Sequence, residues 1–311
     1  MTPPLISVVT PCLNRADYVA EAVESVLSQK FSSFEHIITD AGSKDGTLNI
    51  LEGYPHLRVV SEPDGGIFDG MNKGIRMAEG EIVGLLNTDD LYAEGAFEVV
   101  ARTFEENPEA LAAVGGVTVF RDEAGGRQTL TTTPAIEPDE LWYRLIQGSP
   151  VTNGWFFRRS VFAKVGYFDL RYPYASDRWF LIHAALDGGV RPVPIRRVLY
   201  HYRQHSGSGT VTSLGSRSPQ HGPLRIIILK ENLAINEEFL RRPRLTPEIR
   251  RIQHRTQDEI CYRLATTALY HHRWATALDA VRHGWRQNFY WPLAFGAMAF
   301  RRAAEEIGGH E

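Results

Sequence analysis

The stretch Ile82-Val83-Gly84-Leu85-Leu86-Asn87-Thr88-Asp89-Asp90 joins a short apolar run directly to two adjacent aspartates. Such a run is typical of a parallel strand that is covered on both faces. Open parallel sheets bind ligands beyond the carboxyl ends of their strands, where these two carboxylates are expected. Paired carboxylates attract a hard cation such as Mg²⁺ or Mn²⁺, although an aspartate here can also simply cap the next helix.

The neighbouring sequence alternates strand and helix patterns. Apolar runs predict strands at residues 5–9, 34–39 and 57–61 before the quoted one, and a helical pattern follows each, as with Phe68, Met71 and Ile75 after the third. Right-handed crossovers then give a mostly parallel α/β sheet, Rossmann-like, with helices on both faces. The pattern changes after Asn107, where residues 112–120 and 128–133 predict a hairpin.

The domain boundaries follow from these changes of pattern. Residues 1–215 are predicted to form one α/β domain with two halves, 1–107 and 108–215. A Gly/Ser-rich linker occupies residues 206–219, and residues 216–311 are predicted to form a C-terminal helical region.

The composition is that of an ordinary globular protein. Of 311 residues, 43% are hydrophobic and 23% charged, and the formal net charge is -3, so nothing calls for a nucleic-acid partner. Cys12 and Cys261 lack the spacing of a disulfide framework or a zinc site. The start of the chain has no signal-peptide pattern, and the longest apolar run, 289–300, is too short to span a bilayer. A cytoplasmic location is therefore expected.

Polar clusters follow all four predicted strands. They are Thr10-Pro11-Cys12-Leu13-Asn14, residues 40–46, residues 62–66 and residues 87–90. In a parallel sheet these clusters share one edge, so a single crevice collects Asp40, Asp64, Asp89 and Asp90. Such a concentration of negative charge needs a cation or other partners, and a metal ion with a nucleotide diphosphate suits it.

Several nucleotide-dependent and hydrolytic classes lack their motifs in this chain. The turn after the first strand, Pro11-Cys12-Leu13-Asn14-Arg15, is no G-x-G-x-x-G dinucleotide fingerprint. There is no P-loop and no G-x-S-x-G nucleophile elbow. A nucleotidyltransferase would need a glycine-rich basic loop after the first strand, which is also missing.

Residues 5 to about 210 resemble a family-two glycosyltransferase with the nucleotide-sugar-binding GT-A fold. Four segments carry the resemblance in order: SVVTPCLN at 7–14, ITDAGSKDGT at 38–47, SEPDGGIFDGMNKG at 61–74 and LNTDD at 86–90. The last segment stands where the family has its D-x-D metal motif. The resemblance makes residues 1–107 the nucleotide-sugar-binding half and residues 108–215 the acceptor-binding half.

The resemblance also implies roles for individual residues. Asp40 would hydrogen-bond the base, uracil, in a pocket shaped by Thr10, Pro11 and Asn14. The other implied donor-binding residues are Asp64, Lys73, Asn87, Thr88 and Asp89, and the implied ligands of Mg²⁺ or Mn²⁺ are Asp89, Asp90 and His205. An exposed helix lysine and a surface histidine remain alternatives for Lys73 and His205. Ala41 replaces a second carboxylate of many relatives, and Asn87 replaces the first aspartate of D-x-D, which lowers the charge of the metal site.

Transfer of a sugar with inversion needs a base opposite the leaving diphosphate. The segment Ala175-Ser176-Asp177-Arg178-Trp179 resembles the family's acceptor side, which makes Asp177 the implied base and Asp169 the second candidate. An aspartate before an apolar run also suits a helix cap. Asn153 stands where relatives often have a histidine lining the acceptor, and residues 207–215 could form a lid over the donor.

The C-terminal region interleaves aromatic residues and arginines. Trp274, Trp285 and residues 289–291 alternate with Arg282, Arg286 and residues 301–302. This composition suits contact with a membrane surface, and a packed helical subdomain or dimer contact is the alternative. The resemblance as a whole implies a UDP-sugar-dependent, metal-dependent inverting transferase that acts on a glycan or lipid-linked acceptor in cell-surface polysaccharide or glycolipid synthesis. A catalytically silent nucleotide-sugar or glycan-binding module is the alternative.

Overall fold

The structure, a computed structural model, describes residues 4–147, 152–205, 222–243 and 245–287. The chain divides into two compact units, Met1–Leu145 with Ser149–Ser208 and Ile146–Gly148 with Gly209–Glu311. The predicted linker at 206–219, the lid at 207–215 and the aromatic segment 289–291 lie outside the described residues. The predicted domain boundary at residue 215 therefore stays a prediction.

The first unit contains a sheet of nine strands, counted over the described residues. These strands are, in chain order, β1 (Ile6–Cys12), β2 (Phe34–Asp40), β3 (Leu57–Ser61), β4 (Ile82–Leu85), β5 (Leu91–Tyr92), β6 (Ala112–Glu123), β7 (Gly126–Thr133), β8 (Trp155–Arg158) and β9 (Pro192–Arg203). Their spatial order is β3-β2-β1-β4-β8-β6-β9-β5, with β7 paired to β6. Strands β5, β7 and β8 run against the other six, so the predicted mostly parallel sheet is confirmed.

Helices connect these strands, and helices also form most of the described part of the second unit. In the described residues they are α1 (Val19–Leu27), α2 (Thr47–Leu51), α3 (Ile67–Met77), α4 (Ala96–Glu106), α5 (Leu141–Ile146), α6 (Ser160–Val165), α7 (Ser176–Leu186), α8 (Gly222–Leu240), α9 (Pro247–Tyr270) and α10 (Trp274–Gln287). A 3₁₀ turn spans Thr152–Gly154. The predicted α/β alternation and the helical C-terminal region are thus confirmed where the structure describes them.

Successive side chains of β1 point to opposite faces of the sheet, and helices pack on both faces. Val8 belongs to a buried cluster that includes Ala22 of α1 and Phe97 of α4. Val9 points to the opposite face, where α3 packs so closely that a Cβ atom on Gly74 would lie 2.3 Å from Val9 Cγ1. Only glycine fits at position 74, and this close approach holds α3 against the first strand.

The first strand continues three residues beyond its predicted end. Thr10, Pro11 and Cys12 keep their register with β2, so that Cys12 lies opposite Asp40. Asp40 in turn lies opposite Ser61 of β3. The ends of three strands are therefore level, which brings their polar loops to one edge of the sheet.

The second unit is helical in its described part. Ile226 of α8, Leu264 of α9 and Ala280 of α10 belong to one buried apolar cluster. Trp274, Leu278 and Trp285 of α10 are 65%, 49% and 56% exposed. Among the described residues, no helix is both long and apolar enough to cross a bilayer.

Candidate active site

The loops that follow β1 to β4 meet at the carboxyl edge of the sheet. We call this place the carboxyl-edge crevice; it is formed by residues 10–16, 40–47, 61–66 and 86–90. Direct contacts join the loops: Ser61 Oγ donates to Asp40 Oδ2 at 2.7 Å, and Asn14 N donates to Ser43 Oγ at 2.7 Å. The sheet thus brings together the polar clusters that the sequence placed at these strand ends.

Asp40 is buried and held by a set of donors. Its Oδ2 accepts from Gly42 N at 2.9 Å, Ser43 N at 3.0 Å and Ser61 Oγ, while Oδ1 accepts from Ser43 Oγ. Burial alone would raise the pKa of Asp40, but these hydrogen bonds outweigh it and the net pKa is lowered. Asp40 is therefore a fixed carboxylate whose Oδ1 can accept another hydrogen bond, as its predicted base-binding role requires.

The predicted base-pocket residues have distinct positions. Asn14 has a left-handed backbone with φ 51°, and its Oδ1 accepts from Lys44 N at 2.9 Å, which fixes the first loop against the second. Thr10 is fully buried, and its Oγ1 lies 2.9 Å from His36 Nε2. Burial lowers the pKa of His36 to about 3, so this ring is neutral. The hydroxyl of Thr10 is therefore hydrogen-bonded to His36 inside the sheet.

The loop after β3 is held by its own acidic and basic residues. Asp64 Oδ1 accepts from Gly66 N at 2.9 Å. Lys73 Nζ donates to Pro63 O at 2.9 Å and pairs with Glu62 at 3.0 Å. Lys73 thus ties α3 to this loop, and its predicted phosphate contact stays a prediction.

Asp89 and His205 contact each other beside the carboxyl-edge crevice. Asp89 Oδ2 lies 3.0 Å from His205 Nε2, and both side chains are mostly buried, with 18% and 16% exposed. Arg203 Nε donates to Asp89 O at 2.8 Å, and this hydrogen bond holds the backbone of the turn at residues 87–90. The structure therefore brings together two of the three predicted metal ligands.

Asp90 differs from its predicted place. It is 1% exposed, and its Oδ2 accepts from Tyr200 Oη at 2.7 Å and Asn87 Nδ2 at 3.1 Å, while Oδ1 accepts from Arg203 N at 2.7 Å. Burial and the adjacent charge of Asp89 raise its pKa. Asp90 is thus an internal anchor of the turn, and the geometry supports Asp89 rather than Asp90 as a ligand.

The simpler interpretation of the two aspartates as helix caps does not hold. The next helix, α4, begins at Ala96, and its N-cap residue is Gly95 with a left-handed φ of 71°. Neither carboxylate makes the contact that a cap requires. Thr88, which directly precedes Asp89, is buried.

The residues present fit a divalent cation. Asp89 Oδ2 and His205 Nε2 lie 3.0 Å apart, a hydrogen-bond distance; a carboxylate oxygen suits Mg²⁺ or Mn²⁺, and a neutral imidazole nitrogen is a common metal ligand. Asn87 Oδ1 is a buried acceptor without a hydrogen-bond partner among the described residues. The described residues contain no cluster of three or more His, Cys, Asp or Glu side chains that could hold a metal ion. Mg²⁺, however, is usually held by one or two carboxylates together with substrate phosphates.

Asp177 stands in the first turn of α7 and is not its cap. The helix begins at Ser176 after the N-cap residue Ala175, and Asp177 Oδ1 accepts from Arg178 N at 2.7 Å. Burial raises the pKa of Asp177 and outweighs the hydrogen bond from Arg178. Asp169, by contrast, is paired with Arg171, and although burial opposes this, its pKa is lowered.

The 3₁₀ turn connects Asp177 to the carboxyl-edge crevice. It packs against β4, β9 and α7. Its Asn153 donates from Nδ2 to Tyr200 Oη at 2.8 Å, and the same hydroxyl donates to Asp90. The predicted acceptor-lining position 153 is therefore coupled to the turn that carries Asp89.

Sequence reasoning missed Tyr200, Arg203 and Asn72 as parts of this site. Asn72 donates to Phe168 O at 2.9 Å and accepts from Phe168 N at 3.0 Å, so it joins α3 to the segment that precedes Asp177. Its position in the third motif was the signal that could have found it. Tyr200 and Arg203 stand in an ordinary strand pattern, and only their proximity to His205 in sequence pointed to them.

Comparisons with known proteins bear on this site. A family model described as glycosyl transferase family 2 matches residues 7–166. An uncharacterised glycosyltransferase of Mycobacterium tuberculosis is 34% identical over 205 residues, which cover 64% of this chain and 75% of that protein. The relation over the catalytic region is therefore one of sequence as well as fold.

Two solved structures share the fold. S. aureus TarS 1-349, in complex with UDP-GlcNAc, matches with a TM-score of 0.53 and 20% identity over 91% of this chain and 92% of that one. Mannosyltransferase PcManGT from Pyrobaculum calidifontis, in complex with GDP-Man and Mn²⁺, matches with a TM-score of 0.59 and 18% identity over 99% and 81%. At these identities the likeness concerns the fold alone.

Proposed function

Because the chain belongs to glycosyl transferase family 2 and has the GT-A fold, we propose that it transfers a sugar from a UDP-sugar to a hydroxyl of a glycan or lipid-linked acceptor, with inversion. The observation that carries this proposal is the Asp89–His205 pair, whose facing atoms lie 3.0 Å apart at the edge of the sheet that also holds Asp40. A base-binding carboxylate and a cation-binding pair at one edge suit a nucleoside diphosphate donor.

In the donor half of the proposed mechanism, Asp40 binds the nucleobase of the donor. Its free acceptor capacity at Oδ1 suits the imide N–H of uracil, and the hydrogen bond from Asn14 N to Ser43 Oγ holds the two adjoining loops together. Guanine presents an equivalent N–H donor. The choice of uracil rests on the resemblance of the four motifs, and TarS supports it as a relative in fold that is described with a uridine nucleotide.

Asp89 and His205 would hold Mg²⁺ or Mn²⁺, and PcManGT, described with Mn²⁺, supports this assignment. When bound, the ion supplies positive charge for the departing diphosphate. Asp90, Tyr200 and Arg203 keep Asp89 in position from the buried side of the turn. A preorganised ligand of this kind does not have to reorient as the donor reacts.

Asp177 would act as the base. Its carboxylate accepts the proton of the acceptor hydroxyl as that oxygen forms a bond to the anomeric carbon. The bond from this carbon to the diphosphate oxygen breaks, and its electron pair leaves with the diphosphate. Attack from the side opposite the leaving group inverts the anomeric centre. A carboxylate with a raised pKa is better matched to this task than an ordinary aspartate.

A thermal-denaturation series on the full chain tests the donor assignment. We expect UDP and UDP-sugars with Mn²⁺ to raise Tm by about 5 °C at a hundredfold excess over Kd. Asp40→Asn should reduce that shift, because the amide loses the charge that fixes the base contact. The matched control is Asp17→Asn, which changes the same charge at an exposed position after β1.

Two outcomes would contradict the assignment. A shift produced by GDP-sugars and not by UDP-sugars would move the donor to guanosine nucleotides. No shift with any nucleotide sugar would remove the proposed function itself.

Helix α10 supports a contact between this protein and a membrane surface. Trp274, Leu278 and Trp285 fall within about 40° on a helical wheel and are all exposed, and Arg282 and Arg286 lie beside them. Exposed aromatic residues bordered by arginines are typical of helices that lie in an anionic interface. We therefore propose a cytoplasmic protein that is peripheral at the inner face of the membrane, where it would reach a lipid-linked acceptor.

Vesicle co-sedimentation tests this contact. The double variant Trp274→Ala/Trp285→Ala is expected to bind phosphatidylglycerol-containing vesicles at least about tenfold more weakly than the original chain, because it loses most of the insertable apolar area. Tyr143→Ala, which removes a 54% exposed aromatic ring elsewhere, is the control. If the original chain does not bind vesicles, or both variants bind equally, the exposed face serves packing or dimerisation.

The second candidate is a nucleotide-sugar or glycan-binding module without catalysis. Asn87 favours it, because an amide in place of a carboxylate reduces the negative charge beside Asp89. Such a module would show donor-induced stabilisation with no release of nucleotide. The base variant described in the Discussion separates the two candidates.

A further inference from the structure

A second cavity lies at the opposite edge of the sheet. Its volume is about 430 Å³, and its lining includes Arg76, Glu81, Arg158, Arg159, Ser160 and Tyr167. Arg158, the last residue of β8, pairs in register with Ile82, the first residue of β4. This amino-edge cavity is therefore separate from the carboxyl-edge crevice, where the proposed donor and metal would bind.

One arginine of the cavity is fully engaged by the protein. Arg158 forms an ion pair with Glu81, and its other nitrogens donate to Ala110 O at 2.8 Å, Phe104 O at 3.2 Å and Pro108 O at 3.0 Å. The single carboxylate of the lining is thus neutralised within the wall. The charges of the other two arginines remain for a ligand.

Arg76 and Arg159 are oriented without being neutralised. Arg159 Nε donates to Gly80 O at 2.9 Å, which fixes the side chain and leaves its terminal nitrogens available. The guanidinium of Arg76 lies over the ring of Tyr167, 4.7 Å from its centroid. Both arginines are exposed to solvent, and among the described residues neither forms an ion pair, so the cavity carries a net charge of about +2.

We propose that the amino-edge cavity binds a phosphate or diphosphate group through Arg76 and Arg159, independently of the sugar-transfer site. Guanidinium groups present paired N–H donors that match phosphate oxygens, and the hydroxyl of Ser160 adds a neutral donor at the rim. The phosphate belongs either to a soluble metabolite or to a lipid headgroup, since both offer the same chemistry.

Calorimetric titration of the full chain with inorganic pyrophosphate at low salt tests the proposal. Arg76→Gln/Arg159→Gln is expected to weaken binding at least about tenfold, because each arginine supplies charge-assisted hydrogen bonds. Arg102→Gln, which removes one arginine charge at an exposed position on α4, should bind as the original chain does, and the single variant Arg76→Gln is its charge-matched partner. Pyrophosphate that binds in the carboxyl-edge crevice contributes equally to all variants, so their difference isolates the cavity.

A second arm identifies the source of the phosphate. Binding to phosphatidylcholine vesicles that contain phosphatidic acid, if it is weaker in the double variant than in Arg102→Gln, supports a headgroup, because any contact through α10 is the same in both variants. Loss of pyrophosphate binding without any change in vesicle binding supports a soluble ligand. Equal binding of the double variant and the control in both arms would overturn the proposal. If the double variant is unstable, Arg76→Gln alone gives the same comparison, because among the described residues the Arg76 side chain contacts the Tyr167 ring and donates no hydrogen bond to the backbone.

Discussion

Asparagine in place of Asp177 is expected to lower the transfer rate about a hundred- to ten-thousandfold, with donor affinity unchanged within about twofold. The amide keeps the shape of the side chain and its contact with Arg178 N, but it cannot accept a proton. Release of UDP from a UDP-sugar measures the rate, and thermal denaturation measures donor binding. A separation of the two effects would mark Asp177 as a participant in the chemistry.

The pH dependence offers an independent check on the same residue. Burial raises the pKa of Asp177, and only its ionised form can serve as a base. The original chain should therefore lose kcat/KM as the pH falls through this raised pKa, at a higher pH than an ordinary aspartate would require. Asp177→Asn should lack this acidic limb in its residual activity.

Asp169→Asn is the matched control for this experiment. Asp169 is paired with Arg171 and its pKa is lowered, so we expect a change in rate of less than about threefold. A large loss in Asp169→Asn with normal activity in Asp177→Asn would move the base to Asp169. Donor binding without any UDP release in the original chain would favour the binding module.

Asparagine in place of Asp89 is expected to lower kcat/KM about a hundred- to thousandfold and to remove stabilisation by Mn²⁺. We expect this loss because, in the proposed site, Asp89 would be the charged ligand beside His205, whose Nε2 lies 3.0 Å from Asp89 Oδ2. Binding of Mn²⁺ in the presence of UDP can be followed by the loss of its free-ion electron paramagnetic resonance signal. His205→Gln should weaken Mn²⁺ binding as well, without the change in charge.

Asp90→Asn separates the two adjacent aspartates. Its carboxylate serves Tyr200 and Arg203 within the protein, so we expect a stability loss of about 1–3 kcal/mol and a smaller loss of Mn²⁺ affinity than in Asp89→Asn. The opposite order of affinities would return the metal to Asp90. It would also require the buried turn to rearrange when the ion binds.

Local patterns predicted the sheet and its polar edge because both depend on short segments. The apolar run at residues 82–86 and the helical spacing after each strand are readable without any tertiary contact. The level ends of β1, β2 and β3, which place Asp40 between Cys12 and Ser61, follow from the same parallel register. This is why the predicted cluster of loops at one edge agrees with the structure.

Local sequence patterns could not distinguish the environment of Asp89 from that of Asp90. It depends on Tyr200 and Arg203, which stand 110 and 113 positions after Asp90 in the chain and contact it only through the folded sheet. Two neighbouring aspartates are equivalent in sequence, but one is turned inward by these donors and the other faces the crevice. Sequence patterns also could not decide whether Asp177 caps α7. The structure shows that it does not, because the helix already begins at Ser176.

The hydroxyl of Tyr200 is a single oxygen atom that contacts both the turn at residues 87–90 and the 3₁₀ turn at Thr152–Gly154. It accepts from Asn87 N at 3.3 Å and Asn153 Nδ2 at 2.8 Å and donates to Asp90, so its hydrogen-bonding capacity is complete. Anyone who grafts the acceptor-side loops of a relative onto this chain must therefore keep the Asn153–Tyr200 pair. Without this pair, the turn at residues 87–90 would lose one of the contacts that hold it in place. Loss of activity in such a chimera would then be misread as a failure to recognise the acceptor.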